Sequence, residues 1–346
     1  MAEHQKLEWL EALRGAAAIW VLVHHAHLAT TGFVAWDRSA AGNLISNGFL
    51  GVDFFFVLSG FIIAFASQRL SDRGGGARQY LQSRLLRIYV PYLPIGIGIY
   101  LLYLLLPGVS QAERTPGLLT SMTLVPSNAP PALSVAWTLV HEMIFYTIYS
   151  LWFVSRRLLW GVLALWACAI AVLWLLDSEL SRITRYFFSP LNLCFLLGIV
   201  MYRLSRWRRL GGLATTVLAL VGGALVVVQA WQPEPVRLWV ALGFAAIVFA
   251  AAMPSAARMR LWQPLIVLGA ASYAIYLVHD PVLSVAVRAA ARIGLTGWGA
   301  FLAISVVALA AGVVYLAVYE RSALRWVRQL LARSGSLPTP AAVRSQ

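Results

Sequence analysis

Apolar stretches long enough to cross a bilayer recur from one end of this chain to the other, and that pattern excludes nearly every soluble fold. Within hydrocarbon each backbone N–H and C=O must find its partner inside the protein, so a spanning segment is a helix or a strand of a closed barrel. A barrel strand crosses in about 9–11 residues of alternating polarity, whereas a helix needs about 20 residues of near-continuous apolar sequence. Ten stretches of the second kind are legible, at roughly 9–30, 50–68, 86–106, 134–154, 158–176, 186–202, 212–231, 238–253, 264–287 and 299–319. The expected fold class is all-α, a polytopic membrane protein with about ten transmembrane helices around a polar cavity. Of the 346 residues, 60% are hydrophobic and 12% charged, which leaves no length for a sizeable soluble domain. The membrane domain is expected over 1–333. Residues 334–346 are polar, carry two prolines and are expected to form a disordered cytoplasmic tail. His24, His25 and His27 interrupt the first stretch, and no small-x-small cleavage pattern follows, so it reads as a retained helix rather than a signal peptide.

Orientation follows from the basic residues, because positively charged short connections stay in the cytoplasm. With the N-terminus inside, the cytoplasmic segments carry 19 of the 27 Lys and Arg, the opposite side carries seven and Arg14 lies within the first stretch. Both termini are expected in the cytoplasm. Topogenic arginines and anionic headgroups account for a net charge of +14 without a nucleic-acid partner. Arg84 and Arg87 are the exception among loop arginines: they stand one turn apart at the mouth of the third stretch, after the Gly74-Gly75-Gly76 loop, where they can hold an anionic ligand. Cys168 and Cys194 have no zinc-site spacing and read as packing residues, and no metal site is expected. No Walker-type phosphate loop occurs, which argues against an ATP-driven pump, and no internal repeat is evident, which weakens a secondary-transporter reading.

Polar residues inside such stretches cost free energy and call for a function. They are Arg14, His24, His25, His27, Asp53, Ser59, His141, Glu142, His279, Asp280 and Glu320. Eleven residues separate Arg14 from His25, a rotation of about 1100° that returns His25 to within about 20° of the arginine's face, roughly 16 Å further along. His24 points about 100° away and reads as packing. Counted along the helical rise, Glu142 lies roughly 12 Å below the outer edge of the fourth stretch and His279 roughly 22 Å from the cytoplasmic start of the ninth, so both reach levels near His25. Small residues around Gly60 suggest a close helix crossing.

Five segments carry a resemblance. Arg14 to His25 resembles the Arg-x10-His signature of the membrane acyltransferase 3 family, multipass enzymes that O-acetylate cell-surface and exported polysaccharides. The run Gly51-Val52-Asp53-Phe54-Phe55-Phe56-Val57-Leu58-Ser59-Gly60-Phe61 is similar to the family's second-helix motif, and Arg84 with Arg87 to its Arg-x-x-Arg segment. Trp137 through Glu142 to Phe145-Tyr146 resembles its Trp-[ST]-Leu-x-x-Glu-x-x-Phe-Tyr segment, and Ser272-Tyr273 through Tyr276-Leu277 to His279 its Ser-Tyr-x-x-Tyr-Leu-x-His motif. Where the family pattern has Glu-[KR]-Pro, this chain has Glu320-Arg321-Ser322, so the last helix is expected to continue into an amphipathic segment, Ser322 to Leu331.

The resemblance implies an O-acyltransferase of the bacterial inner membrane that takes acetyl from cytoplasmic acetyl-coenzyme A, with no tightly bound cofactor. The acceptor it implies is a hydroxyl of a polysaccharide or lipid-linked oligosaccharide. Expected partners are the lipid bilayer, the donor, the carbohydrate acceptor and polysaccharide assembly proteins. The family also includes enzymes that act on non-sugar small molecules and on lipids. A different class stays open as well, a transporter or channel that passes the acyl group to a separate transferase. His25 is the expected base or transient acyl carrier, with Glu142 as its partner. Arg14, Arg84 and Arg87 are expected to hold the donor's phosphates, and Asp53, Ser59, Trp137 and His279 to contact the acceptor.

Overall fold

The computed structural model describes residues 2–34, 42–106, 115–254 and 263–333. They form fourteen α-helices: α1 (Ala2–Phe33), α2 (Gly42–Ser46), α3 (Gly51–Asp72), α4 (Ala77–Leu105), α5 (Leu118–Thr123), α6 (Trp137–Tyr149), α7 (Arg156–Leu175), α8 (Arg182–Phe188), α9 (Asn192–Trp207), α10 (Gly212–Trp231), α11 (Arg237–Ala251), α12 (Gln263–Arg292), α13 (Gly297–Tyr315) and α14 (Arg321–Arg333). No strand occurs among the described residues, as the all-α expectation requires. The expected tail, 334–346, lies outside the described residues.

The expected count of ten spans is not reproduced. Among the described residues, seven helical segments are long and apolar enough to cross a membrane: Gly48–Asp72, Ala77–Leu105, Arg156–Leu175, Arg182–Trp207, Gly212–Trp231, Gln263–Arg292 and Gly297–Arg333. The stretches at 9–30, 134–154 and 238–253 fall outside this set. α1 is long, but Arg14 and three histidines dilute its apolar character. α6 ends after 13 residues and passes into a 3₁₀ turn, Ser150–Phe153. α11 is apolar but only 15 residues long. Two of these three, α1 and α6, carry six of the eleven polar residues singled out above.

Helix α1 packs against α12, α3 and α13, while α3 packs against α9 and α11 and α10 lies on α11. The tightest crossings are made by glycine. A Cβ on Gly60 would come within 2.0 Å of the Phe195 carbonyl oxygen, and one on Gly198 within 1.9 Å of the Val57 oxygen, so α3 and α9 touch backbone to backbone as the small residues around Gly60 suggest. Gly15 and Gly269 do the same for α1 and α12, because a Cβ on Gly269 would stand 2.2 Å from the Glu11 oxygen. The second crossing follows directly on Arg14 and brings the histidine-bearing stretches of α1 and α12 side by side.

Helix α4 contains Pro91 and Pro94. Pro94 has no N–H for the carbonyl four residues back, Val90, and Tyr319 supplies the missing donor through its hydroxyl at 3.2 Å. The Tyr315 hydroxyl likewise donates to Pro91 O at 2.7 Å. These bonds hold the end of α13 and the π-helical turn Leu316–Glu320 against α4. With Ser322 in place of proline, the backbone runs on from this turn into α14, as expected from the sequence.

Candidate active site

Helix α6 presents Thr138, Glu142 and Tyr146 to one side, at the four-residue spacing that stacks side chains on one helical face. That face closes a cavity of about 60 Å³, bounded also by Arg14 from α1, Phe55 and Ser59 from α3, Arg84 and Arg87 from α4, and Ser272, Tyr273 and Tyr276 from α12. Arg14, Arg84, Arg87, Ser59 and Glu142, five residues expected at the site, thus meet at one place. The Glu142 carboxylate accepts from the Ser59 hydroxyl at 3.4 Å and from the Tyr146 hydroxyl. The buried Arg84 guanidinium lies over the rings of Tyr80, at 5.6 Å, and Tyr146, at 5.8 Å. Its Nε has no hydrogen-bond partner among the described residues.

A second cluster lies where α1 meets α12. His25 and His279 have ring centroids 4.9 Å apart, with His279 Nε2 3.2 Å from His25 Nδ1. The expected contact between His25 and Glu142 is not formed: each has other partners, His279 for the histidine and Ser59 with Tyr146 for the carboxylate. His24 packs edge-on against Phe49 at 5.6 Å, in keeping with a packing role.

The late motif reads as one helix making three ties. Tyr273 donates to Ile88 O on α4 at 3.1 Å, Tyr276 is hydrogen-bonded to Thr138 on α6 at 2.9 Å, and His279 meets His25 on α1. Steps of three residues rotate each side chain about 60° from the last, so a single helix reaches three neighbours.

Two expected site residues lie apart from both clusters. Asp53 is buried and accepts two bonds from Arg237 on α11, at 2.7 Å from Nη2 and 3.1 Å from Nε. Trp137 lies edge-on to His141, 5.7 Å between centroids, and with it lines a separate pocket that also includes Arg182, Arg185 and Tyr186. The His141 ring is held by Asn192, with Nδ1 2.9 Å from the amide oxygen.

Residues 7–317 match the family described as an acyltransferase domain, which is nearly the whole chain. The chain belongs to this acyltransferase family. Acyltransferase MdmB of Streptomyces mycarofaciens is 28% identical over 317 residues, covering 80% of this chain and 79% of its own. The exopolysaccharide production protein ExoZ of Rhizobium meliloti is 27% identical over 310 residues, covering 82% of this chain and 92% of its own. The "Putative peptidoglycan O-acetyltransferase YrhL" of Bacillus subtilis is 27% identical over 327 residues, covering 81% of this chain and 49% of its own. No solved structure matches the chain. The protein is therefore a membrane acyltransferase, with the arginine cavity and the histidine pair among its motif-borne residues.

In this acyltransferase the structure adds one residue to the expected site. Glu320 ends the π-helical turn, is buried, and interacts electrostatically with Arg87 and Arg14, while its Oε2 has no hydrogen-bond partner among the described residues. The sequence signal was a carboxylate at the end of an apolar stretch, but nothing local connected it with arginines more than two hundred residues earlier. π turns recur at functional sites because they re-aim a side chain without ending a helix.

Proposed function

We propose that this acyltransferase moves an acetyl group from acetyl-coenzyme A to a hydroxyl of a polysaccharide or lipid-linked oligosaccharide. It acts in a bacterial inner membrane, with both termini and the donor on the cytoplasmic side. The observation that carries this reading is the convergence of Arg14, Arg84 and Arg87 on one cavity. Among the described residues none of the three has a hydrogen bond or ion pair that would consume its charge. Planar guanidinium groups grip phosphate oxygens in pairs, and coenzyme A bears its phosphates at the end remote from the thioester. His25 lies on the same helix as Arg14, roughly 16 Å further along, so a donor held by its phosphates extends its acyl end along α1.

In the reaction His25 takes the proton of the acceptor hydroxyl as its oxygen attacks the thioester carbonyl. The C–S bond breaks, an ester forms, and the leaving thiolate takes the proton from His25, which returns free coenzyme A and neutral imidazole. In the variant with a covalent intermediate, His25 carries the acetyl group between the two half-reactions. The acceptor class draws support from the relatives named for exopolysaccharide production and peptidoglycan O-acetylation. Purified protein incubated with acetyl-labelled coenzyme A and an exopolysaccharide oligosaccharide tests the reading. Label on the glycan with release of free coenzyme A supports it. Label that crosses a proteoliposome membrane with neither product overturns it in favour of the transporter.

A further inference from the structure

We propose that His279 is a positioning residue for His25: it fixes the imidazole tautomer so that Nε2 of His25 is the basic, or acyl-accepting, nitrogen. The inference rests on the function proposed above for His25 and assigns His279 a different part from the acceptor contact expected from the sequence.

Three contacts determine the protons. His279 Nδ1 lies 3.1 Å from the backbone oxygen of Ile275, and His25 Nδ1 lies 3.0 Å from that of Val21. A carbonyl oxygen accepts and never donates, so each Nδ1 carries a hydrogen. In a neutral imidazole the other nitrogen then holds the lone pair. His279 therefore presents an acceptor, Nε2, to His25 Nδ1 at 3.2 Å, and the His25 Nδ1–H is shared between that nitrogen and Val21 O. The opposite assignment, with the hydrogen on His279 Nε2 and a lone pair on His25 Nδ1, sets lone pair against lone pair at both carbonyls. One arrangement satisfies all three contacts, and it leaves the lone pair of His25 on Nε2, which has no partner among the described residues.

The surroundings keep this arrangement in place. His279 is fully buried, and both Nδ1 anchors are carbonyls one helical turn back on the same helix, so neither ring turns without breaking a bond. Asp280, the nearest carboxylate in sequence, accepts from the Ser134 hydroxyl, and Glu142 is bonded to Ser59 and Tyr146. A neutral imidazole thus takes the orienting part that a carboxylate plays in a Ser-His-Asp arrangement, without placing a further negative charge in the membrane. When His25 Nε2 takes the hydroxyl proton, the O–H bond breaks, an N–H bond forms on Nε2, and the Nδ1–H bond to His279 becomes charge-assisted. No proton leaves the pair until the leaving thiolate takes it from His25 Nε2.

The test uses the full chain in nanodiscs with ¹⁵N-labelled histidine, the His25 signals assigned by their loss in His25→Ala. The wild type is expected to show His25 protonated on Nδ1, and His279→Leu to shift it towards the Nε2-protonated form. In parallel, His279→Leu is expected to lower kcat about 10²-fold with an unchanged KM for acetyl-coenzyme A. His279→Gln, whose amide oxygen comes near the position of Nε2, is expected to recover at least a tenth of wild-type kcat. Unchanged donor binding and a monodisperse elution profile show that each variant is folded. His25 protonated on Nε2 in the wild type, or equal kcat for the Leu and Gln variants, overturns the proposal. Because the tautomer is read without turnover, failure of acyl transfer with every acceptor bears on the proposed function alone.

Discussion

Asp53 and the arginine cavity are both polar intrusions into apolar sequence, and both come from motifs the chain shares with its family, but the protein treats them differently. At Asp53 the account closes. Both carboxylate oxygens are taken by the fork of Arg237, the carboxylate is sealed from solvent, and the arginine stands half exposed at 46% of its side-chain area. At the cavity it stays open. Arg14, Arg84 and Arg87 line it with Glu142, and Glu320 interacts with Arg87 and Arg14, yet Arg84 Nε, Glu320 Oε2 and Ser272 Oγ are buried without hydrogen bonds among the described residues. Buried polar groups in native proteins are almost always satisfied, so a charged cluster left open among the described residues is a candidate place for a ligand. The lesson is that a charge inside a membrane does not by itself mark a site. Unsatisfied charge is the stronger pointer.

That contrast is broken most directly by removing its reactive end. His25→Ala is expected to lower acyl transfer by about 10² to 10⁴-fold at equal expression, with His24→Ala far milder because it packs on Phe49. Equal losses in the two variants would remove the distinction between a reactive and a packing histidine.

Next in size is the arginine cavity. Arg14→Ala or Arg87→Ala is expected to weaken coenzyme A binding by about 10-fold or more, with Lys restoring part of it because it offers charge without the planar fork. Calorimetry at two salt concentrations reads both effects, since a phosphate contact weakens as salt rises. Folding should be little affected, because like charges crowded in the cavity repel. Unchanged affinity in both alanine variants would turn the cavity into a second structural network.

The closed pair should respond in the reverse sense. Arg237→Ala strands a buried carboxylate and is expected to cost about 3 kcal/mol, whereas Asp53→Asn leaves a half-exposed arginine that water can solvate and costs less. Thermal unfolding in detergent measures both, and coenzyme A affinity should stay at the wild-type value in each. A raised KM for the glycan in Asp53→Asn would restore Asp53 to the acceptor site.

The smallest effect concerns the helix that continues past Glu320. Ser322→Pro restores the residue of the family pattern and should reduce the helicity of α14, read by circular dichroism, because proline inside a continuous helical run lacks the N–H and clashes with the preceding turn; activity is expected within about 2-fold. A large loss of activity would tie α14 to the position of Glu320.

Much of this molecule was legible locally. Helices follow from apolar length, the Arg14 to His25 register from a rotation of 100° per residue, the Gly60 crossing from small residues, and family membership from five motifs in order. Which polar groups become neighbours was not legible locally. Glu142 was paired with His25 because both reach similar depths, yet depth along two helices does not state which faces meet, and α6 turns Glu142 towards Ser59. Asp53 and Trp137 are expected at the acceptor from shared motifs, and the sequence carries no sign of the tie between Asp53 and Arg237, which follows it by 184 residues. The count of ten spans treated every apolar stretch alike, although α6 and α11 stop short.

The amino-acid sequence by itself determined that this protein is a helical membrane acyltransferase and which side chains are too costly to sit in lipid without cause. Those properties arise within windows of about 20 residues, where partition into hydrocarbon and backbone bonding are local. Tertiary structure alone decided how the costly groups are partnered: Asp53 by Arg237, His25 by His279 across 254 residues, and Arg84 by the rings of Tyr80 and Tyr146 with no hydrogen bond to its Nε among the described residues. Hydrogen bonds require atoms within about 3 Å and in the right direction, and such placement exists only after helices cross, as α1 and α12 do where Gly15 meets Gly269.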